Sequence, residues 1–247
     1  MSVLDLHNAR LNINGKTRRE VALTRTQAFI NRRQSASLSC QNVTINDIAQ
    51  NVTILDKEAL NEKDILALPG EHLIHGGIVD WADNKWLITE LDAHNEVYEK
   101  GLMQQCNHIL RWRDRDGSII EKWCIVEDGT KYLIGEKQED LLTIGDARIA
   151  VTLPKDEDTV KISRGHRFLI DDIDTDTVLA YQITKPNRLY NVFNNKGIFR
   201  YILNEVNITD NDNLELRIAD YYQPTLNTTT DSFPDIIDDD DGKKVWI

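Results

Sequence analysis

Short alternating apolar runs dominate the chain from residue 41 onward. Segments rich in Val, Ile, Thr and aromatic residues recur between turn residues, a pattern typical of half-buried strands. The predicted strands are 42–46, 51–55, 78–81, 85–90, 109–112, 119–123, 130–134, 149–153, 167–170, 178–184, 197–206 and 213–218. One or two helical turns are predicted over 57–64. Many short strands at close spacing favour an antiparallel barrel or sandwich over a parallel sheet with crossover helices.

The hairpin around residue 116 can be predicted together with its register. Arg115-Asp116-Gly117 reads as a three-residue loop that Gly117 closes in the left-handed conformation. That register places Trp112 opposite Ile120 and Arg111 opposite Glu121. Both are favourable cross-strand pairs.

The helix pattern is clearest near the N-terminus, over 17–35. This stretch has no Gly or Pro, and Thr17 with Glu20 forms a candidate capping box. Its apolar residues do not form one clean stripe. Val21, Ala22, Ala28 and Phe29 share a side with Arg18, Arg25 and Arg32, so the helix is expected to dock poorly on its own core.

Charge separates this helix from the rest of the chain. The net charge is -12, yet residues 1–35 carry seven basic and two acidic groups, so the other 212 residues carry the excess of acid. The segment is either a solvated helix at a loose terminus or an arm that docks on an acidic partner surface or on nucleic acid. The C-terminal segment contains the acid run Asp238–Asp241. The candidate partner-contact residues are Arg18, Arg19, Arg25, Arg32, Arg33 and Trp246.

The expected fold is therefore mainly β, with one or two small antiparallel β-barrel or sandwich domains and an N-terminal helical arm. The predicted organisation is a basic, largely helical arm (1–40), a barrel-like β domain (41–145), a second β domain or a continuation of the first (146–225) and an acidic C-terminal tail (226–247). If there are two β domains, the sequence predicts the boundary between them near 143–146.

Composition argues against a membrane-spanning, secreted or zinc-finger protein. No window approaches 18 uninterrupted apolar residues, so no membrane span is expected, and residues 1–7 lack the features of a secretory signal. Three widely spaced cysteines, Cys40, Cys106 and Cys124, do not fit a paired zinc motif and suit a reducing cytosol.

Three places in the chain carry candidate chemistry. Asp174 and Asp176 match the short Asp-x-Asp-x-Val pattern of phosphoryl-transferring hydrolases, but the expected surroundings are all-β. His72 and His75 would face opposite sides of a strand. Glu90, Asp92 and His94 alternate on one strand face, where a polar edge is the simpler interpretation. The sequence contains none of the common phosphate-binding or nucleophile motifs. The expectation is a protein that is not an enzyme, with no catalytic residue, cofactor or metal.

Several strings carry a resemblance to a known class of proteins. They are Cys106-Asn107, Leu110-x-Trp112, Trp123-Cys-Ile-Val-Glu-Asp-Gly-Thr-Lys-Tyr132, Arg167-Phe-Leu-Ile-Asp-Asp172, Thr184-Lys-Pro186 and Asn213-x-Glu-Leu-x-Ile-Ala-Asp-Tyr-Tyr222. Together they resemble a structural protein of tailed bacteriophages and prophages of Gram-positive hosts. The hairpin Gly77-Ile-Val-x-Trp81…Trp86-Leu-Ile88 is similar to the small barrel of head–tail connectors.

The resemblance implies a head-closure or head–tail connector protein of the virion neck, made in the bacterial host cytoplasm. Proteins of that kind form rings, often dodecamers, between portal and tail proteins, with a possible contact to the packaged DNA. Two alternatives stay open: a minor head or capsid decoration protein, and more remotely a metal-dependent phosphohydrolase using Asp174 and Asp176.

Overall fold

The computed structural model describes residues 3–11, 17–92, 94–128, 148–172 and 177–222. The prediction of a mainly β chain with an N-terminal helical arm is confirmed. The helices are α1 (Val3–Leu11) and α2 (Arg18–Ser35), with a 3₁₀ turn at Thr159–Lys161. The strands are β1 (Cys40–Ile45), β2 (Ile48–Asp56), β3 (Glu62–Ala67), β4 (Ile78–Trp81), β5 (Asn84–Asp92), β6 (Lys100–Gln105), β7 (His108–Arg113), β8 (Ile119–Asp128), β9 (Arg148–Pro154), β10 (Arg167–Asp172), β11 (Thr177–Asn187), β12 (Val192–Phe193) and β13 (Lys196–Val206).

The first six strands form a closed antiparallel barrel, here called barrel 1. Its strand order is β1-β2-β3-β6-β5-β4, and β4 closes the barrel by pairing Asp80 and Val79 with Thr44 and Ile45 of β1. Alternation along each strand sends one set of side chains inward. The buried interior consists of Val43, Ile45, Val52, Ile54, Ile65, Ala67, Leu73, Val79, Trp86, Ile88 and Met103.

Two-residue turns fix the register of this barrel. Asn46-Asp47 joins β1 to β2 and Ala82-Asp83 joins β4 to β5, and all four residues have positive φ. Such turns match the natural twist of the strands, and Asn and Asp tolerate the left-handed conformation better than most residues. The local sequence therefore sets which residues face one another before the barrel closes.

The remaining strands form a second, nearly closed barrel, here called barrel 2. The order is β10-β11-β13-β9-β8-β7, with the short β12 paired to β13. The edge strands β7 and β10 meet across a seam, where Trp112 and Phe168 pack edge to face with ring centroids 6.0 Å apart. The predicted β7–β8 register is confirmed: Trp112 pairs with Ile120 and Arg111 with Glu121, and Gly117 has φ +90°.

Residues 207–222, here called the clasp segment, lie against the seam of barrel 2. Arg167 on β10 donates to the carboxylates of Asp212 and Asp220 at 2.8 and 2.7 Å. From the other side of the seam, Arg113 on β7 donates to the carbonyl oxygen of Tyr221 at 2.9 Å. The clasp segment therefore ties together the two edge strands.

The two barrels touch through a small apolar cluster and a backbone contact. Leu87 of barrel 1 and Cys106, directly after β6, pack with Ile125 and Ile198 of barrel 2. A Cβ atom on Gly76 would collide with the carbonyl oxygen of Gly197 on β13. Only two residues, Cys106 and Asn107, separate β6 from β7. The barrels are consequently held together by more than their linker.

Two sequence-based expectations differ from the structure. The helical turns predicted for 57–64 are absent from the described chain; β3 begins at Glu62, because Ile65 and Ala67 supply inward-facing apolar positions. Segment 213–218 is not a strand but a compact turn closed by a bridge between Asn213 and Ile218. The predicted 130–134 strand lies outside the described residues.

The predicted boundary near 143–146 lies outside the described residues. β8 and β9 are hydrogen-bonded neighbours, with Ile125 opposite Thr152, so that boundary would separate paired strands. The change of sheet occurs between β6 and β7.

Candidate partner-contact surface

Helix α2 begins where the capping box predicts. The Thr17 hydroxyl accepts a hydrogen bond from the Glu20 amide at 3.2 Å, and the Glu20 carboxylate accepts one from the Thr17 amide at 3.3 Å. These bonds satisfy amides that the start of a helix otherwise leaves without partners. The arm therefore has a defined helical start.

The helix lies on barrel 1 through one narrow face. Half-buried Leu23, Gln27, Ile30 and Gln34 recur every three or four residues, and none of the helix residues is fully buried. Ala22, Ala28 and Phe29, which the sequence groups with the arginines, are exposed. Most of the side with mixed apolar and basic residues is therefore exposed, although Val21 is half-buried and Phe29 borders a cleft against barrel 1.

Glu96, in the loop between β5 and β6, anchors the helix. Its carboxylate oxygens accept hydrogen bonds from Arg19 at 2.7 and 2.6 Å, and its carbonyl oxygen accepts one from the Gln27 side chain at 2.9 Å. The ion pair is solvent-exposed, with the Arg19 side chain 76% and the Glu96 side chain 57% exposed. Exposed pairs of this kind contribute little to stability.

The predicted contact arginines all lie on the surface of α2. Arg18, Arg25 and Arg32 recur every seven residues, so they share one side of the helix at intervals of about 10 Å. Arg33 is also exposed, and Arg19 is engaged with Glu96. Trp246, the other predicted contact, lies outside the described residues, as do Asp174 and Asp176.

A cleft of about 310 Å³ separates α2 from the outer wall of barrel 1. Its lining residues are Phe29, Ile30, Arg33, Gln34, Ser37, Thr53 and Tyr98. Phe29 is 62% exposed, although it is a large apolar side chain. Sequence reasoning missed this cleft, because its far wall comes from β2 and from the loop before β6.

Two polar atoms in the cleft wall lack partners. Gln34 Oε1 and Thr53 Oγ1 are buried and make no hydrogen bond within the described residues. Thr53 occupies an outward position of β2, where alternation predicts exposure, yet it is only 6% exposed and lines the cleft beside α2. Buried polar groups without a partner are costly and uncommon.

Helix α1 adds apolar surface to the arm. Val3, Leu4 and Leu6 are all exposed. Among the described helices, neither α1 nor α2 combines the length and apolar character needed to cross a membrane.

The other candidate sites do not assemble in the described part of the chain. The His72 ring bonds the Glu99 carboxylate at 2.8 Å, while His75 is buried and contacts the Thr89 carbonyl oxygen at 2.9 Å. Across the described ranges, no three His, Cys, Asp or Glu side chains converge in a group able to hold a metal ion.

Carboxylates of barrel 2 are engaged in structural contacts. Burial alone would raise the pKa of Asp212, but hydrogen bonds from Arg167 and from the amides of Asp220 and Thr209 lower it overall. Burial also acts to raise the pKa of Asp156, and the contact with Lys122 helps to lower it overall. Lys122 contacts Asp156 at 2.7 Å and Asp158 at 3.0 Å. These groups are held as charged anchors at neutral pH.

Comparison with known proteins associates the arm and barrel 1 with phages. A solved structure titled MrkH, a novel c-di-GMP dependence transcription regulatory factor, is similar over 77% of this chain and 86% of that chain, at 9% identity and a TM-score of 0.24, too low to support an argument. No curated protein matches. Residues 11–105 match the family model described as YomX N-terminal domain, a name from a Bacillus phage region, and the match ends with the last residue of β6. The match indicates a phage protein.

Proposed function

We propose that this chain is a structural subunit of a phage virion neck, forming a ring that closes or connects the head between portal and tail. The observation that carries the proposal is the arm. Helix α2 has no buried residue, yet it holds Arg18, Arg25 and Arg32 outward from a chain whose net charge is -12. A helix presented in this way suits contact with another subunit better than support of its own core.

The tandem barrels supply the rigid body that such a subunit needs. A ring forms when one surface of each subunit binds a different surface of the next, which requires interfaces rather than a catalytic cleft. The proposed partners are further copies of this chain, about twelve by the resemblance to neck proteins, together with the portal and tail proteins. The arm is proposed to meet acidic protein surfaces first, with packaged DNA as a passing contact.

The role is proposed to be non-catalytic. Asp212, Asp156 and Asp114 each accept a charged hydrogen bond from Arg167, Lys122 or Lys161. Carboxylates that are already paired are poorly suited to act as bases or metal ligands. Magnesium-dependent phosphatase activity, tested with the purified chain, is expected to be absent; activity lost in Asp174→Asn would instead support the hydrolase alternative.

The proposal is tested by locating and counting the protein in purified virions. Quantitative mass spectrometry is expected to give about a dozen copies per particle, and imaging of isolated necks is expected to place them at the head–tail junction. Hundreds of copies in the shell would instead identify a decoration protein. Absence from virions would contradict every structural role considered above.

A further inference from the structure

The cleft between α2 and barrel 1 has the chemistry of a peptide site. Phe29 presents an exposed ring at its edge, and Tyr98 is a second aromatic side chain in the lining. Gln34 Oε1 is a buried acceptor without a donor among the described residues, and Thr53 Oγ1 lacks any partner there. Arg33 contributes a cation to the lining. A matching ligand would combine an apolar or aromatic group, an N–H donor and negative charge.

The chain itself contains a segment with these properties. Residues 235–247 read Asp-Ile-Ile-Asp-Asp-Asp-Asp-Gly-Lys-Lys-Val-Trp-Ile, which joins five acidic residues to the apolar group Val245-Trp246-Ile247. The indole N–H of Trp246 is a donor only, so it suits the buried acceptor Gln34 Oε1. The acid run Asp238–Asp241 is complementary in charge to Arg33 in the cleft lining.

We infer that the cleft of one subunit receives the 235–247 segment of a neighbouring copy. The segment follows the last described residue, Tyr222, by twelve residues, a link that can span up to roughly 40 Å when extended. An acceptor cleft at one end of the chain and its ligand at the other are different surfaces. Contact between such surfaces is head to tail, which builds rings when the rotation closes.

The inference deepens the proposed function by naming one contact between subunits. The docking itself stands independently, whereas the closure of the subunits into a ring rests on the proposed function. DNA is a weaker candidate for this cleft, because phosphates would leave the acceptor Gln34 Oε1 without a donor. The basic side with Arg18, Arg25 and Arg32 remains open to other partners.

A native thiol beside the cleft allows a direct test. Cys40 pairs with Thr53 across β1 and β2, so the two side chains lie on the same outer face. Cys40 is half-buried and free, whereas Cys106 and Cys124 are buried. Burial raises the pKa of Cys106 to about 12 and also raises that of Cys124, which keeps both as unreactive thiols.

Lys244→Cys in the full chain would place a second reactive thiol beside Trp246. Mild oxidation with oxidised glutathione is expected to give a ladder of disulfide-linked oligomers on a non-reducing gel. Adding Cys40→Ser is the matched control and should remove the ladder. Adding Trp246→Ala to Lys244→Cys is expected to reduce it at least tenfold, because the docking side chain is gone.

The other outcomes contradict the inference. A disulfide between Cys40 and the introduced thiol found only within monomers would show that the segment folds back on its own subunit. A ladder that survives Cys40→Ser, or that ignores Trp246→Ala, would place the segment elsewhere. No disulfide in samples that still form rings would overturn the docking alone. Absence from virions, with the ladder intact, would overturn the neck proposal instead.

Discussion

The arm helix and the clasp segment are both attached to a barrel through an arginine–carboxylate pair, yet the two attachments differ in burial. At the arm, the side chains of Arg19 and Glu96 are 76% and 57% exposed. At the clasp, those of Arg167 and Asp212 are 11% and 0% exposed. The clasp carboxylate also accepts hydrogen bonds from the amides of Thr209 and Asp220, both at 2.8 Å.

This difference shows that the same kind of ion pair can give either a weak or a strong attachment, depending on its burial. An exposed pair is screened by water and salt, so it orients a helix without fixing it. A buried pair adds less than its Coulomb energy suggests, but breaking it leaves a charge without compensation in a poorly solvated site. The arm is therefore suited to exchange its contacts for those of a partner, and the clasp is suited to stay closed.

The largest effect is expected from Asp212→Asn. The substitution removes the charge facing Arg167 and weakens the acceptors of two backbone amides, while Asp220 still pairs with the arginine. The free energy of unfolding should fall by about 3 kcal/mol, measured by urea denaturation. Asp210→Asn, an exposed aspartate of the same segment, is the matched control and should leave the midpoint unchanged. Equal midpoints for both variants would show that the clasp does not hold barrel 2.

Low pH should destabilise the clasp, as Asp212→Asn does, because it protonates the Asp212 carboxylate. Because the pKa of Asp212 in the folded chain lies below its unfolded value of about 3.9, its contribution is complete above that pH. It is lost as the pH falls through the lower, folded pKa. The difference in urea midpoint between the native chain and Asp212→Asn should therefore shrink between about pH 5 and pH 2. A difference that is constant with pH would contradict a charged Asp212.

Removal of residues 1–35 should leave the barrels folded and impair assembly. The arm has no buried residue in α2, so the β signal in circular dichroism is expected to persist, while light scattering should report loss of oligomers. Arg18→Ala combined with Arg25→Ala and Arg32→Ala is the matched variant that retains the helix. Loss of the β signal on truncation would show that the arm belongs to the core.

The smallest effect is expected from Glu96→Gln. The exposed ion pair with Arg19 is lost, but the carbonyl oxygen that accepts from Gln27 remains. No measurable shift in the unfolding midpoint is expected, whereas tryptic cleavage within α2 should become faster. High salt should produce the same increase in the native chain. A clear loss of stability would place the arm among the tightly held elements, like the clasp.

The sequence was most informative where a few neighbouring residues determine geometry. The Thr17–Glu20 capping box and the Gly117 loop are local, so the start of α2 and the β7–β8 register followed directly. The predictions failed where the conformation of a segment depends on contacts with residues far away in the sequence. Segment 213–218 alternates like a strand, but Arg217 and Asp220 adopt positive φ as the segment turns back toward Arg167.

The sequence predicted one part of the candidate surface and missed another. Charge counting identified the exposed arginines of α2, because a basic run is visible without a fold. The side of α2 that faces the barrel was not predicted, since Leu23, Gln27, Ile30 and Gln34 mix apolar and amide side chains. Thr53 shares the cleft with a helix that begins 35 residues earlier in the chain, and no strand pattern predicts that neighbour.

The contact between Gly76 and Gly197 affects the angle between the two barrels, and through it the curvature of any ring that the subunits form. Both residues have positive φ, and backbone meets backbone without an intervening side chain. Side chains at such a junction can change rotamer and let two bodies tilt, but main chain at contact distance leaves little freedom. In a ring of the proposed kind, the wedge angle of each subunit would be set here. The number of copies that close a circle would then depend on these two glycines as well as on the contact at the arm.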